Sequence, residues 1–202
     1  MAEVYQIPKK PVEVSYEIKK SRFIARAARA SDRSQAMALL ELARADYPDA
    51  RHHCWAYLFG EPVSAAMSDD GEPSGTAGKP ILNVLRHKDV SDIMIIVIRY
   101  FGGIKLGAGG LVRAYSAAAQ LAMDALETEV VVPMCSGLAT CDFAMEQPVR
   151  HWLSVNLGKV LAVDYQADAL IRLSFPESAK PHWLAFTRRH GIRFDSDNSV
   201  RQ

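Results

Sequence analysis

No apolar run in the chain is longer than Ile93-Met94-Ile95-Ile96-Val97-Ile98, and all but one of its residues are β-branched. Its length and make-up fit a strand buried in the middle of a sheet. The run is far short of the ~18 apolar residues that a membrane span needs. Around it the chain has 202 residues, 49% apolar and 23% charged, enough to bury one or two cores without disulfide staples. Lys and Arg number 24 against 23 Asp and Glu, a net charge of +1. An overall basic field of the histone kind is therefore excluded, and any charge-based site must be local. The start, Met1-Ala2-Glu3-Val4-Tyr5, has neither a basic nor an apolar leader region, so no secretory signal is expected. Three cysteines are an odd and sparse count, which points to a reducing compartment and a cytoplasmic location.

Residues 12–29 read as strand material. Val12, Val14, Tyr16 and Ile18 alternate with Glu13, Ser15, Glu17 and Lys19, and Lys20-Ser21 marks a turn between two strands. A helix follows: Asp32 and Gln35 form a capping pair, Ala36, Leu39, Leu40 and Ala43 trace one face, and Tyr47-Pro48 ends it. His52–Phe59 reads as a buried strand. Residues 61–78 read as a long loop, Pro80–Leu85 as a short helix and Gly102–Gly110 as a second, glycine-rich loop. Leu111, Ala114, Tyr115, Ala118, Ala122 and Ala125 mark a long helix, and Val130–Pro133 reads as a linker. The second half alternates strand, helix, strand, strand, helix, strand, the βαββαβ order of a ferredoxin-like domain. An α+β chain with domains 1–132 and 133–202 is expected. In the second domain Leu153, Leu157, Leu161, Val163, Leu170, Ile171, Leu173, Leu184 and Phe186 read as core.

Four polar segments of the first domain hold its chemistry. Around Ser21, Lys20, Arg22 and Arg26 are expected on one strand face, either as a phosphate track or as a solvated edge that discourages aggregation. In His52-His53-Cys54-Trp55 the two histidines point to opposite faces, so they do not share a metal; one is expected buried, and His53 is a candidate acid, base or phosphate ligand. No zinc spacing exists, so no metal is assigned to these residues, and no cofactor is expected. Ser68–Lys79 carries Asp69, Asp70, Glu72, Ser74 and Thr76. Its acids either meet a hard cation or partner, or cap turns and helix starts. It is not a Walker A loop, because Pro80 follows Gly78-Lys79 and position 73 is Pro. In Arg99–Arg113, Gly102, Gly103, Gly109 and Gly110 can aim backbone N–H groups at an anion, with Arg99, Lys105 and Arg113 supplying charge; close packing is the other use of such glycines.

The runs His52–Tyr57, Ser68–Pro80, Arg99–Gly107 and Gly109–Tyr115, in that order, resemble the signature of the YigZ/IMPACT family, in its bacterial two-domain form. Trp55 stands where tyrosine is frequent. The resemblance implies a first domain like domain 2 of ribosomal protein S5, a ferredoxin-like second domain, and a likeness to the last two domains of the translocating elongation factor. It also implies a translation-linked regulatory role. It supplies no catalytic residues. The partner of eukaryotic members is not transferable, because the extra domain that binds it is missing here.

The leading expectation is a module that binds RNA or the ribosome through one concave, basic and glycine-rich groove. An enzyme acting on a small phosphorylated metabolite or nucleotide, through the acidic and glycine-rich loops, is the alternative. A protein-binding regulatory module is the third reading. The sequence is silent on oligomeric state.

Overall fold

A computed structural model describes residues 5–60 and 63–197. Met1–Val4, where no leader was expected, and Glu61-Pro62 of the expected long loop lie outside the described residues. The chain is α+β and divides into two compact units, Tyr5–Val131 and 132–197. Among the described residues, no helix is long and apolar enough to cross a membrane.

The first unit opens with β1 (Tyr5–Pro8), followed by β2 (Val12–Ile18), β3 (Ser21–Arg29), α1 (Arg33–Asp46), β4 (His52–Phe59) and β5 (Ser64–Ser68). It continues with α2 (Gly78–Arg86), β6 (Ile93–Tyr100), α3 (Ala108–Ala125) and β7 (Thr128–Val131). Five strands form one antiparallel sheet in the order β2-β3-β6-β4-β5, with the apolar run of β6 in the centre. Both faces of β6 are buried. Ile93, Ile95 and Val97 pack with α2 and α3, while Met94, Ile96 and Ile98 pack with α1. Each such side chain contributes about 1.5–3 kcal/mol by leaving water. This three-layer arrangement is what an all-apolar strand requires.

Local signals act as expected in α1. Asp32 accepts the Gln35 N–H (2.9 Å), and the Gln35 side chain accepts the Ser31 N–H (3.1 Å). Three elements depart from the sequence reading, the first being β1, which lies in a segment that the sequence leaves without an element. The expected loop at 61–78 contains β5, whose residues lack apolar alternation and become a strand by pairing with β4. The expected linker at 130–133 begins inside β7, which pairs with β1.

The second unit contains β8 (Met134–Cys141), α4 (Glu146–Val155), β9 (Lys159–Tyr165), β10 (Ala169–Pro176), α5 (Lys180–His190) and β11 (Arg193–Ser196). Its antiparallel sheet runs β11-β8-β10-β9. The core is aromatic: Trp152 and Trp183 meet at 4.8 Å between ring centres, and both contact Phe175. Leu157 (81% exposed), Leu161 and Leu184 are not core. Leu157 follows α4 in a left-handed turn, φ 57°, and Leu161 lies on edge strand β9 at a register shift. Neither position faces the packed helices, so apolar character alone misplaced them.

Candidate functional site at one end of the first sheet

Antiparallel pairing brings four connections to the same end of the sheet. Ile18 pairs with Ser21, Arg22 with Tyr100, and Arg99 with His52, so the β2–β3 turn, the α1–β4 connection and the segment after β6 leave together. The segment 69–77 leaves β5 at this end too, since Ser68 pairs with Trp55 near the start of β4. The polar segments of the sequence therefore do converge. They do not form one concave groove, because alternation sends their side chains to both faces of the sheet. Arg22 and Arg26 lie on the α1 face, as does His53. Arg99 lies opposite Phe23, on the α2/α3 face.

The acidic segment 69–77 turns its charge inward. The Asp69 carboxylate accepts backbone N–H groups from Gly75 (2.8 Å), Ala77 (3.0 Å) and Gly78 (2.8 Å). Burial pushes the Asp69 carboxyl up, but those three donors outweigh it and hold the group below its ordinary range. Asp70 accepts the His53 backbone N–H (2.6 Å) and lies 3.7 Å from Arg44. Its carbonyl oxygen lies 2.8 Å from the His52 ring. Glu72 is buried and accepts both the Arg99 guanidinium (2.6 Å) and the Tyr115 hydroxyl (2.8 Å). Cys54 completes this buried network, 2.9 Å from the Asp69 carbonyl and 3.4 Å from the Tyr115 hydroxyl. Burial drives the Cys54 thiol and the Tyr115 phenol far above their ordinary values, so both stay protonated. Thr76 bonds the Pro73 carbonyl, and Ser74 is exposed. Among the described residues no group of three or more His, Cys, Asp or Glu side chains is placed to hold a metal ion.

His53 is buried, and its Nε2 has no hydrogen-bond partner. Burial lowers its value, which Asp70 opposes only in part. It is thus a neutral residue of the α1 layer and does not face the glycine-rich loop. Arg26 is neutralised by Glu13 and Asp46 and lies over the Tyr47 ring. Arg22 is exposed, lies over the Tyr100 ring at 4.9 Å, and lines a groove of about 280 Å3 with Glu13, Val14, Ser15, Ile24 and Tyr47.

The loop pair formed by residues 19–20 and 101–107 behaves differently. Lys19 and Lys20 form the two-residue β2–β3 turn, both with positive φ (46° and 64°). Gly102 packs against that turn: a Cβ there would collide with the Lys20 carbonyl group, and its N–H donates to Ser21 Oγ (3.2 Å). Packing, not anion contact, therefore explains this glycine. Gly103 is exposed at φ 84°. Gly109 and Gly110 already belong to the first turn of α3, so the glycine-rich loop ends at Gly107. Lys105 and Arg113 are exposed. The sequence reading missed Tyr115 and Cys54, which passed as core, and Phe101, which is 56% exposed. The one available signal was an aromatic residue directly before Gly102-Gly103 in a cationic segment.

Fold and loops together define a two-domain α+β protein that gathers, at one end of its first sheet, a sealed acidic loop and an open cationic loop pair. Residues 19–123, which span all of these loops, match the model of the Impact N-terminal domain. The chain is 42% identical over 177 residues to the IMPACT family member YigZ of Escherichia coli K12, covering 86% of this chain and 87% of that protein. It is 39% identical over 180 residues to an IMPACT family member of Haemophilus influenzae, covering 88% of this chain and 87% of the relative. A solved structure of a hypothetical protein superposes with a TM-score of 0.70 at 38% identity, covering 96% of this chain and 97% of that one. A longer protein from Thermus thermophilus shares the fold alone, with a TM-score of 0.55 at 10% identity over 98% of this chain and 29% of that one. This chain belongs to the IMPACT family.

Proposed function

We propose that the protein is a cytoplasmic, translation-associated regulator that binds RNA or the ribosome through the loops at this end of the first sheet. Family membership supports the translation link. Unpaired charge carries the binding part. Lys19, Lys20, Arg22, Lys105 and Arg113 are exposed at this end, and none has an acidic partner within 4 Å among the described residues. Cations held this way take phosphates without reading sequence. The enzyme reading is weakened, because the three carboxylates it needs are each engaged by protein donors. In fold terms, the first unit is read as the S5 domain 2 type. The second is read as ferredoxin-like, supported by the β11-β8-β10-β9 order with α4 and α5 between the strands.

Titrating the full chain against ribosomal RNA and against ribosomes at low and at physiological salt tests this. Affinity is expected to fall steeply with salt, by about 0.7–0.9 units of log K per phosphate contact for each tenfold rise in salt. Absent or salt-indifferent binding overturns it, and binding to ribosomal proteins alone moves the choice to the protein-binding module.

A further inference from the structure

We infer that Phe101 is a stacking platform for one base of single-stranded RNA, with the phosphates on either side of that base held by the Lys19–Lys20 turn and Lys105. This rests on the reading above and names the form of nucleic acid that the site takes.

A singly exposed aromatic residue needs no explanation in itself. What singles out Phe101 is its support. The Arg99 guanidinium carbon lies 5.6 Å from the centre of the Phe101 ring and 5.5 Å from the centre of the Phe23 ring. One cation thus serves a buried ring and an exposed one. Arg99 cannot swing away, because Glu72 holds its Nη1 and Tyr115 holds Glu72. Its Nε is buried without a hydrogen-bond partner, and its guanidinium carbon is the part that meets the two rings. The buried network of the acidic loop therefore ends in a fixed pedestal beneath a ring that is still 56% exposed.

The backbone of the lysine turn is fixed as well. Two-residue hairpin turns with positive φ at both positions favour Asn-Gly, and L side chains adopt this conformation only at a steric cost. Here both positions are lysine. Gly102, the residue after Phe101, lies directly against the Lys20 carbonyl and bonds Ser21. The lysine turn is consequently packed against the backbone directly after Phe101, with Lys105 exposed in the same loop as the ring. An exposed π face beside unpaired cations is the combination that binds single strands. A paired base in a duplex has both faces covered by its neighbours and offers nothing to such a ring.

Fluorescence anisotropy of the full chain with an unstructured RNA of about 12 nucleotides, and with the duplex of the same sequence, tests the inference. The single strand is expected to bind more tightly than the duplex. Phe101→Ala and Phe101→Leu should each lose about tenfold on the single strand and nothing on the duplex, while Phe101→Trp keeps wild-type affinity. The salt slope should be unchanged in these variants. In Lys19→Asn/Lys20→Asn, which tolerates positive φ, the slope should shrink by about 1.4. Because Leu keeps the apolar packing and removes only the π face, a folding defect is separable from lost stacking. Equal binding of duplex and single strand, or Phe101→Leu with wild-type affinity, overturns the platform and leaves RNA binding standing. No RNA binding at any salt overturns the parent reading and this one together.

Discussion

The segment 69–77 and the loop pair 19–20/101–107 leave the same end of the same sheet, and both are rich in polar residues, but they treat their charges in opposite ways. In the first, Asp69, Asp70 and Glu72 are each taken up by N–H, guanidinium or hydroxyl donors of the protein. In the second, Lys19, Lys20 and Lys105 stay exposed, and two of them sit in a backbone conformation that costs stability. The difference teaches that a dense polar motif is not by itself a contact surface. Groups already satisfied within the chain build architecture, and those left unsatisfied in water are free to meet a ligand.

Breaking the sealed side should have the largest effect. Glu72→Ala strands a buried guanidinium, so stability in urea denaturation should fall by about 3–5 kcal/mol. A loss below about 1 kcal/mol, the worth of a surface pair, would mean that the network is not sealed. Next comes Asp69→Asn, which keeps the shape but removes the charge that three N–H groups share. It should cost about 1–3 kcal/mol at neutral pH. Because the Asp69 value is depressed in the fold, its contribution is complete above about pH 4 and is lost as pH falls through the folded value. The variant should therefore show a shallower acid limb in a pH series of melts.

The open side should respond with the opposite sign. Lys19→Asn/Lys20→Gly relieves the strained turn and should raise stability by about 1–2 kcal/mol, while RNA affinity at low salt falls. A destabilised variant would show that the lysines support the fold, and the contrast between the two regions would collapse. The smallest effect concerns His53, whose backbone N–H anchors Asp70. Its value is lowered by burial, so its contribution is complete above about pH 6.5 and declines as pH falls toward the lowered folded value. In His53→Gln the fall in melting temperature between neutral and mildly acidic pH should be reduced.

Much of the fold was legible because its signals are local. The Asp32–Gln35 cap, the apolar run of β6 and the stripe of α3 each declare an element within a few residues. β5 was not legible, since Ser64-Ala65-Ala66-Met67-Ser68 has no alternation and owes its form to β4. β7 was misread as linker for the same reason, its partner β1 lying at the other end of the unit. The loops at the site were found from composition, yet the roles of their residues were not. Arg99 read as a free cation and is half of a buried ion pair, while Tyr115 read as core packing and holds Glu72.

By itself the sequence determined the helices and the strands with their own local pattern, though not β1, β5 or β7, together with the central place of the Ile93–Ile98 run and the membership of the family. These follow from periodicity, caps and contiguous motifs, all of which act along the chain. Only the tertiary structure decided which charges are consumed and which are open. Ion pairs and hydrogen bonds depend on distances of a few ångströms in space, and Glu72, Arg99 and Tyr115 come within that range only when β6 and α3 pack beside the acidic loop.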